Sequence, residues 1–281
     1  MTVSATETFI NVEDGYKVWT RSIGGESKHA RAPLLVLHGG PGMAHDYLEN
    51  LEALASDTQK VVFYDQLGCG RSDTPDDPKR WKVPRFVAEV DFVRQALHLE
   101  EVVILGQSWG GMLALEYFLT NPKGVRGGIL SNSLSSAPVM SAEIQRLLHE
   151  MLGAKSIPDE NTVMEFYSRH ILRIDPFPKK ILEKMEETNQ VYEVMWGKNE
   201  FTVTGNLKDW DRMKDLHQIK LPIQIISGEF DESTPKVNQV LKDGLSNSDW
   251  IMMQGCSHLP NVEKPDEYMA IISRFLDRLN T

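Results

Sequence analysis

A chain of 281 residues is long enough for one large α/β domain with an insertion, and short for two independent catalytic domains. Its 41% hydrophobic and 25% charged residues are those of an ordinary globule, and no apolar run approaches the length that crosses a membrane. The formal charge of −10 argues against nucleic acid as a partner, because its phosphates would be repelled, and fits a cationic substrate.

Residues 1–7 show neither the basic stretch nor the apolar core of a signal peptide, so a cytoplasmic protein is expected. Residues 8–12 and 16–22 flank the turn residues Glu13-Asp14-Gly15 and read as an antiparallel hairpin. A buried strand over 33–37 then delivers His38-Gly39-Gly40-Pro41-Gly42. So many glycines after such a strand mean that backbone approaches something closely, in this position a substrate carbonyl. Residues 46–55, with Leu48, Leu51 and Leu54, are predicted helical. A strand over 60–64 ends in a second glycine-rich loop, Asp65-Gln66-Leu67-Gly68-Cys69-Gly70-Arg71-Ser72. After a charged, proline-rich connection, Phe86, Val90, Val93 and Leu97 mark an amphipathic helix.

The next stretch organises the chain. Val102-Val103-Ile104-Leu105 runs into Gly106-Gln107-Ser108-Trp109-Gly110-Gly111 and on into an apolar helical pattern, a strand, sharp turn and helix of the nucleophile-elbow kind. The turn lifts the Ser108 hydroxyl clear of the sheet, and any Cβ at 106 or 110 would collide with the neighbouring strand and helix. It also leaves the Trp109 amide at a helix N-terminus, where it can donate to an oxyanion.

A further strand over 125–130 completes a strand–helix alternation that predicts a mostly parallel, doubly wound sheet covered on both faces. The alternation breaks after Ser133. From 135 to 216 only helical patterns occur, carrying Met140, Leu147, Leu148, Met164, Phe166, Met195 and Trp196, and these predict an inserted helical cap over a pocket. The core is thus expected to comprise 1–134 and 217–281, and the cap 135–216. A strand over 222–228 leads to Glu229-Phe230-Asp231-Glu232. A helix over 236–245 follows, then a strand over 250–253 delivering Gly255-Cys256-Ser257-His258, and a closing helix over 265–279.

A serine hydroxyl needs a base, and the base an orienting acid. Of eight histidines only His38 and His258 lie in loops at the carboxyl ends of predicted strands, and the chain order serine, acid, histidine selects His258. The strand before the cap ends in Ser131-Asn132-Ser133 without a carboxylate, whereas the strand after it leads to Asp231, which takes the role of acid. Asp65 competes, but it precedes the serine and reads better as a loop-stabilising carboxylate.

The three glycine motifs, His38 to Gly42, Asp65 to Ser72 and Gly106 to Gly111, together resemble those of the proline iminopeptidase family of α/β-hydrolases. The cap stretch from Val191 to Phe201 is similar to the branch that contains the tricorn-interacting aminopeptidase. The resemblance covers essentially the whole chain. It implies a triad of Ser108, Asp231 and His258, an oxyanion hole from the amides of Gly40 and Trp109, and no metal or cofactor. It implies release of an unblocked N-terminal residue, often proline, from short peptides, amides and arylamides. Glu200 and Glu232 match the positions whose carboxylates hold the substrate's ammonium group. Leu67 stands where many members carry Arg, a departure the aminopeptidase branch tolerates and one that widens the expected first residue beyond proline. An amino-acid amidase or esterase with the same triad is the nearest rival, and a non-catalytic receptor on this fold a more distant one. The oligomeric state is left open.

Only Cys69 and Cys256 are present, which is no disulfide framework. In the usual strand order of this fold the strands they follow stand about five positions apart, on the order of 24 Å. A bridge needs Cα atoms within roughly 7 Å. Both are therefore expected to be small buried residues in tight turns.

Overall fold

Residues 3–153, 160–186 and 189–280 are described by a computed structural model of the chain. The elements run β1 (Ala5–Asn11), β2 (Lys17–Ile23), β3 (Leu34–Leu37), a 3₁₀ segment (Asp46–Leu54), β4 (Val61–Tyr64), α1 (Val83–Ala96), β5 (Val102–Gln107), α2 (Trp109–Leu119) and β6 (Val125–Ser131). Four helices follow, α3 (Ala137–Leu152), α4 (Glu160–Phe166), α5 (Lys179–Glu186) and α6 (Gln190–Met195). The chain closes with β7 (Ile223–Gly228), α7 (Pro235–Gly244), β8 (Ser248–Met253), α8 (Pro260–Glu263) and α9 (Pro265–Leu279).

Eight strands form one sheet in the order β1-β2-β4-β3-β5-β6-β7-β8. The pairs β1–β2 and β2–β4 are antiparallel and the rest parallel. The strands β3, β4, β5 and β7 are buried along their whole length, which is why β3, β4 and the first four residues of β5 read as unbroken apolar runs rather than alternating ones. Successive residues still point to opposite faces. Leu35, Leu37 and Ile104 pack with Val90 of α1 and Leu113 of α2, whereas Val36, Val103 and Leu105 pack with Ile272 and Phe275 of α9. The expected doubly wound α/β sheet is therefore present, with a layer on each face.

The segment expected to be helical over 46–55 is a 3₁₀ helix over Asp46–Leu54. Its leucines recur at intervals of three, the repeat of a 3₁₀ turn, so Leu48 and Leu51 share one buried edge.

The helices α3 to α6 lie between β6 and β7, and the only strand-type pairing among the described residues there is an isolated bridge between Ser136 and Asp211. Polar contacts fasten this cap to the core. Glu143 of α3, buried, accepts from Thr234 Oγ1 at 3.0 Å and from Lys236 Nζ at 2.9 Å. Asn189 caps α6 and sends its Nδ2 to the carbonyls of Gly42 (3.0 Å) and Gly68 (3.2 Å), joining the cap to both early glycine loops. Of the cap residues read from the sequence, Met140, Leu147, Leu148, Phe166, Met195 and Trp196 are buried, while Met164 is exposed. No helix among the described residues is long and apolar enough to cross a membrane.

Cys69 and Cys256 are both buried thiols, and the strands they follow, β4 and β8, occupy the third and eighth places in the sheet. Denatured, unreduced protein is expected to react with two equivalents of a thiol reagent per chain. A value near zero would contradict the separation of these strands.

Candidate active site

Ser108 sits between β5 and α2 with φ 54° and ψ −121°, a conformation that non-glycine residues rarely adopt. The glycines around it make that turn possible. A Cβ on Gly106 would lie 2.2 Å from the Gly110 carbonyl oxygen, and one on Gly110 would lie 2.0 Å from that of Leu37. The turn is held by Ser108 N donating to Ser131 O (2.9 Å) and by Ser133 Oγ donating to Ser108 O (2.9 Å). As the first residue of α2, Trp109 has no intrahelical acceptor for its amide.

His258, in the loop after β8, donates from Nδ1 to Asp231 Oδ1 at 2.7 Å. Asp231 is buried and accepts two further hydrogen bonds, from Ser233 N to Oδ1 (2.9 Å) and from Asn132 Nδ2 to Oδ2 (2.7 Å). Asn132 also reaches the Ser257 carbonyl at 3.0 Å, so one side chain holds both the acid and the histidine loop. Because Nδ1 carries the proton toward Asp231, Nε2 is left as the basic nitrogen. Burial pulls the pKa of the ring down, but the charge and hydrogen bond of Asp231, helped by Glu200, more than offset this and leave it raised.

His258 and Ser108 line one cleft, together with Gly40, Tyr47, Gln107, Tyr192, Glu200 and Glu232. Apolar walls come from Met43, Ile171, Ile181 and Leu259. All seven residues expected at the site are thus gathered, Trp109 through the helix start directly behind Ser108.

The two glutamates form a pair, Glu232 buried and Glu200 half-buried. Glu200 Oε2 accepts from the Tyr192 hydroxyl at 2.5 Å, and Glu232 Oε1 stands 3.8 Å from His258 Nε2. Glu232 Oε2 is buried with no protein partner. Burial raises the pKa of Glu200, against the lowering effect of Tyr192 and of His258. Burial, and then the charges of Glu200 and Asp231, push Glu232 well above the carboxylate range.

His38 and Asp65 are not part of this constellation. The buried His38 ring accepts from Gln66 N at Nε2 (3.0 Å), which fixes its other nitrogen as donor to Gly39 O (2.9 Å). That bond sets the peptide plane carrying the Gly40 amide. Asp65 accepts from His45 Nδ1 (2.7 Å), His45 N (3.0 Å) and Arg71 N (2.9 Å), the loop-stabilising role expected of it. Leu67 is buried in the core beneath this loop and does not line the cleft.

Sequence reasoning missed Asn132, Tyr192, Gln66 and the cap's π-helical turn Tyr167–Ile171. Gln66 donates to His38 O (3.0 Å) and accepts from Trp109 Nε1 (2.8 Å). In the π turn, the carbonyl of His170 accepts from both Glu232 N (3.3 Å) and His258 N (3.2 Å), so the cap touches the acid loop and the histidine loop at once.

The geometry yields a titration test. Followed by NMR, the His258 imidazole is expected to titrate above the ordinary value of about 6.5. In Asp231→Asn only burial and weaker charges remain, and the midpoint is expected to fall. Activity that needs the neutral ring should therefore lose its acid limb at a lower pH in the variant. An unchanged midpoint would show that Asp231 does not set the ring's charge.

A family profile described as the alpha/beta hydrolase fold matches residues 32–265. The proline iminopeptidase of Lactobacillus helveticus (strain DPC 4571) is 38% identical over 94% of this chain and 95% of its own. That of Thermoplasma volcanium is 37% identical, with 90% and 91% covered. The crystal structure of the Mycobacterium smegmatis proline iminopeptidase superposes with a TM-score of 0.89 at 35% identity over 98% of both chains. The chain belongs to the proline iminopeptidase family of α/β-hydrolases and is an enzyme, a serine hydrolase of the aminopeptidase type.

Proposed function

We propose that the enzyme releases an unblocked N-terminal residue, proline or another apolar one, from short peptides, amides or arylamides through an acyl-enzyme on Ser108. His258 Nε2 takes the Ser108 proton as Oγ attacks the carbonyl carbon of the first residue. The amides of Gly40 and Trp109 donate to the oxyanion that forms. His258 then gives its proton to the leaving amine as the scissile bond breaks. Water repeats the cycle, losing a proton to His258 and releasing the free residue as Ser108 recovers its own. Asp231 keeps the imidazole in the productive tautomer and stabilises its charged form.

The observation that carries the exopeptidase reading is the Glu200–Glu232 pair, with the unpartnered Oε2 of buried Glu232 in the same cleft as Ser108 and His258. A buried oxygen without a donor is costly, and a substrate ammonium supplies donors and positive charge together. One carboxylate about 4 Å from an ammonium is worth about 4 kcal/mol at an effective dielectric near 20, before desolvation. That is ample to separate a free amine from a blocked one. The apolar walls suit a small apolar first residue and leave its identity to a screen of aminoacyl arylamides, amides and esters, which also separates peptidase from amidase or esterase.

Two outcomes test this reading. Ser108→Ala and His258→Ala are each expected to reduce turnover to nearly the same residual level, because such groups act as a unit. An N-acetylated aminoacyl arylamide is expected to be turned over far more slowly than its free counterpart, and Glu200→Gln or Glu232→Gln to lower kcat/KM while small neutral esters still acylate Ser108. Equal turnover of blocked and free substrates would overturn the exopeptidase assignment and leave the serine chemistry standing.

A further inference from the structure

An oxyanion hole built from Gly40 and Trp109 draws its two donors from different loops, one after β3 and one after β5. Its dimensions therefore depend on what holds these loops against each other. A tyrosine outside the three glycine motifs makes that connection. Tyr47, in the 3₁₀ segment, accepts from Gly39 N at its hydroxyl (2.7 Å) and donates the hydroxyl proton to Gln107 Oε1 (2.5 Å). Gln107, adjacent to Ser108, sends its Nε2 on to the His258 carbonyl (3.3 Å). The loop lies directly on this pair, since a Cβ on Gly39 would be 2.6 Å from Gln107 Oε1 and 2.8 Å from the Tyr47 oxygen. Tyr47 is itself anchored, its carbonyl accepting from Asn261 Nδ2 at 2.7 Å.

We propose that Tyr47 is a positioning residue for the oxyanion hole, its hydroxyl fixing the loop that bears Gly40 against the elbow that bears Trp109. The inference rests on the assignment of those two amides as oxyanion donors. Removing the hydroxyl leaves the Gly39 amide without its acceptor and Gln107 Oε1 without its donor, so the loop is free to drift from the elbow. Misplacement by about 1 Å typically costs on the order of 10²-fold in rate. The loss falls on the step in which charge develops, so it belongs in kcat rather than KM.

The test compares wild type, Tyr47→Phe, Gln107→Met and the double variant. Tyr47→Phe keeps the ring that lines the cleft and deletes only the hydroxyl. Gln107→Met breaks the same bond from its other end, and serves alone if the tyrosine variant does not fold. The readouts are kcat and KM on a free aminoacyl arylamide, the rate at which a fluorophosphonate labels Ser108, and the NMR titration midpoint of His258. Expected are falls of about 10- to 100-fold in kcat and in labelling rate, little change in KM, an unmoved His258 midpoint in Tyr47→Phe, and a double variant no worse than the worse single one. Wild-type kcat and labelling in both single variants would overturn the inference. So would a loss confined to KM, which would make Tyr47 ground-state contact surface, or a displaced His258 midpoint in Tyr47→Phe, which would place its action in the imidazole. Wild-type protein that the probe does not label at Ser108 would remove the serine-nucleophile reading, and this inference with it, whereas labelled wild type beside unaffected variants removes the inference alone.

Discussion

The structure depends on a close approach of backbones that only glycine permits. With Gly110 touching the carbonyl of Leu37 and Gly106 touching that of Gly110, β3, β5 and the start of α2 converge more tightly than any side chain would allow. That convergence holds Ser108 at a positive φ and brings the loop after β3 beside the first turn of α2. Positive φ at a non-glycine residue costs on the order of 1–3 kcal/mol, and such a residue persists only where its surroundings over-determine it. Here they do, because β5 is buried along its whole length and paired on both sides, by β3 and by β6. The sheet thus acts as a rigid mount, with the chemistry concentrated in the loops at its carboxyl edge.

How much of this was legible in the sequence follows from the range of each signal. Buried parallel strands are short apolar runs closed by glycine or polar turns, so β3, β5 and β7 could be read locally, and with them the loops carrying Gly40, Ser108 and Asp231. Chain order then chose His258 over His38, and the geometry agrees, since His38 spends both ring nitrogens on backbone. The leucines at 48, 51 and 54 marked a helical segment without telling its kind, because period three and period 3.6 differ little over so few residues. Asn132 and Tyr192 were illegible for another reason. Their importance lies in a partner 99 residues away in one case and in burial beside a second carboxylate in the other, and neither periodicity nor spacing carries such information. Gln66 and Gln107 lay inside quoted motifs, yet a motif fixes which backbone turns and not where an amide side chain reaches.

The cap completes the site from above by backbone as much as by side chain. One carbonyl, that of His170, receives the amides of both Glu232 and His258, and this is possible because His170 lies in the last turn of the π segment, where carbonyls have no intrahelical donor. Asn189 plays the matching part at the opposite side, bridging the two early glycine loops. The cap therefore fixes the relative positions of four catalytic-edge loops. A change of cap position would be transmitted to the acid, the base and the oxyanion loop together, whereas the elbow, held by the sheet, would stay in place.

The amine site and the base are too close to act independently. Glu232 lies 3.8 Å from His258 Nε2, and Glu200 is among the charges that raise the pKa of the imidazole. In the proposed reading an ammonium group seated on the pair offsets that negative field, so the histidine's pKa falls toward the ordinary imidazole value and the neutral, proton-accepting form gains population when substrate is bound. The same cation favours the ionised state of a pair whose pKa values are raised, chiefly by burial. A blocked substrate supplies neither effect: it leaves the carboxyl groups in their raised state and the base in its raised, charge-holding state. Selection for a free N-terminus would then be exerted twice, once in binding and once in the protonation of the group that starts the reaction.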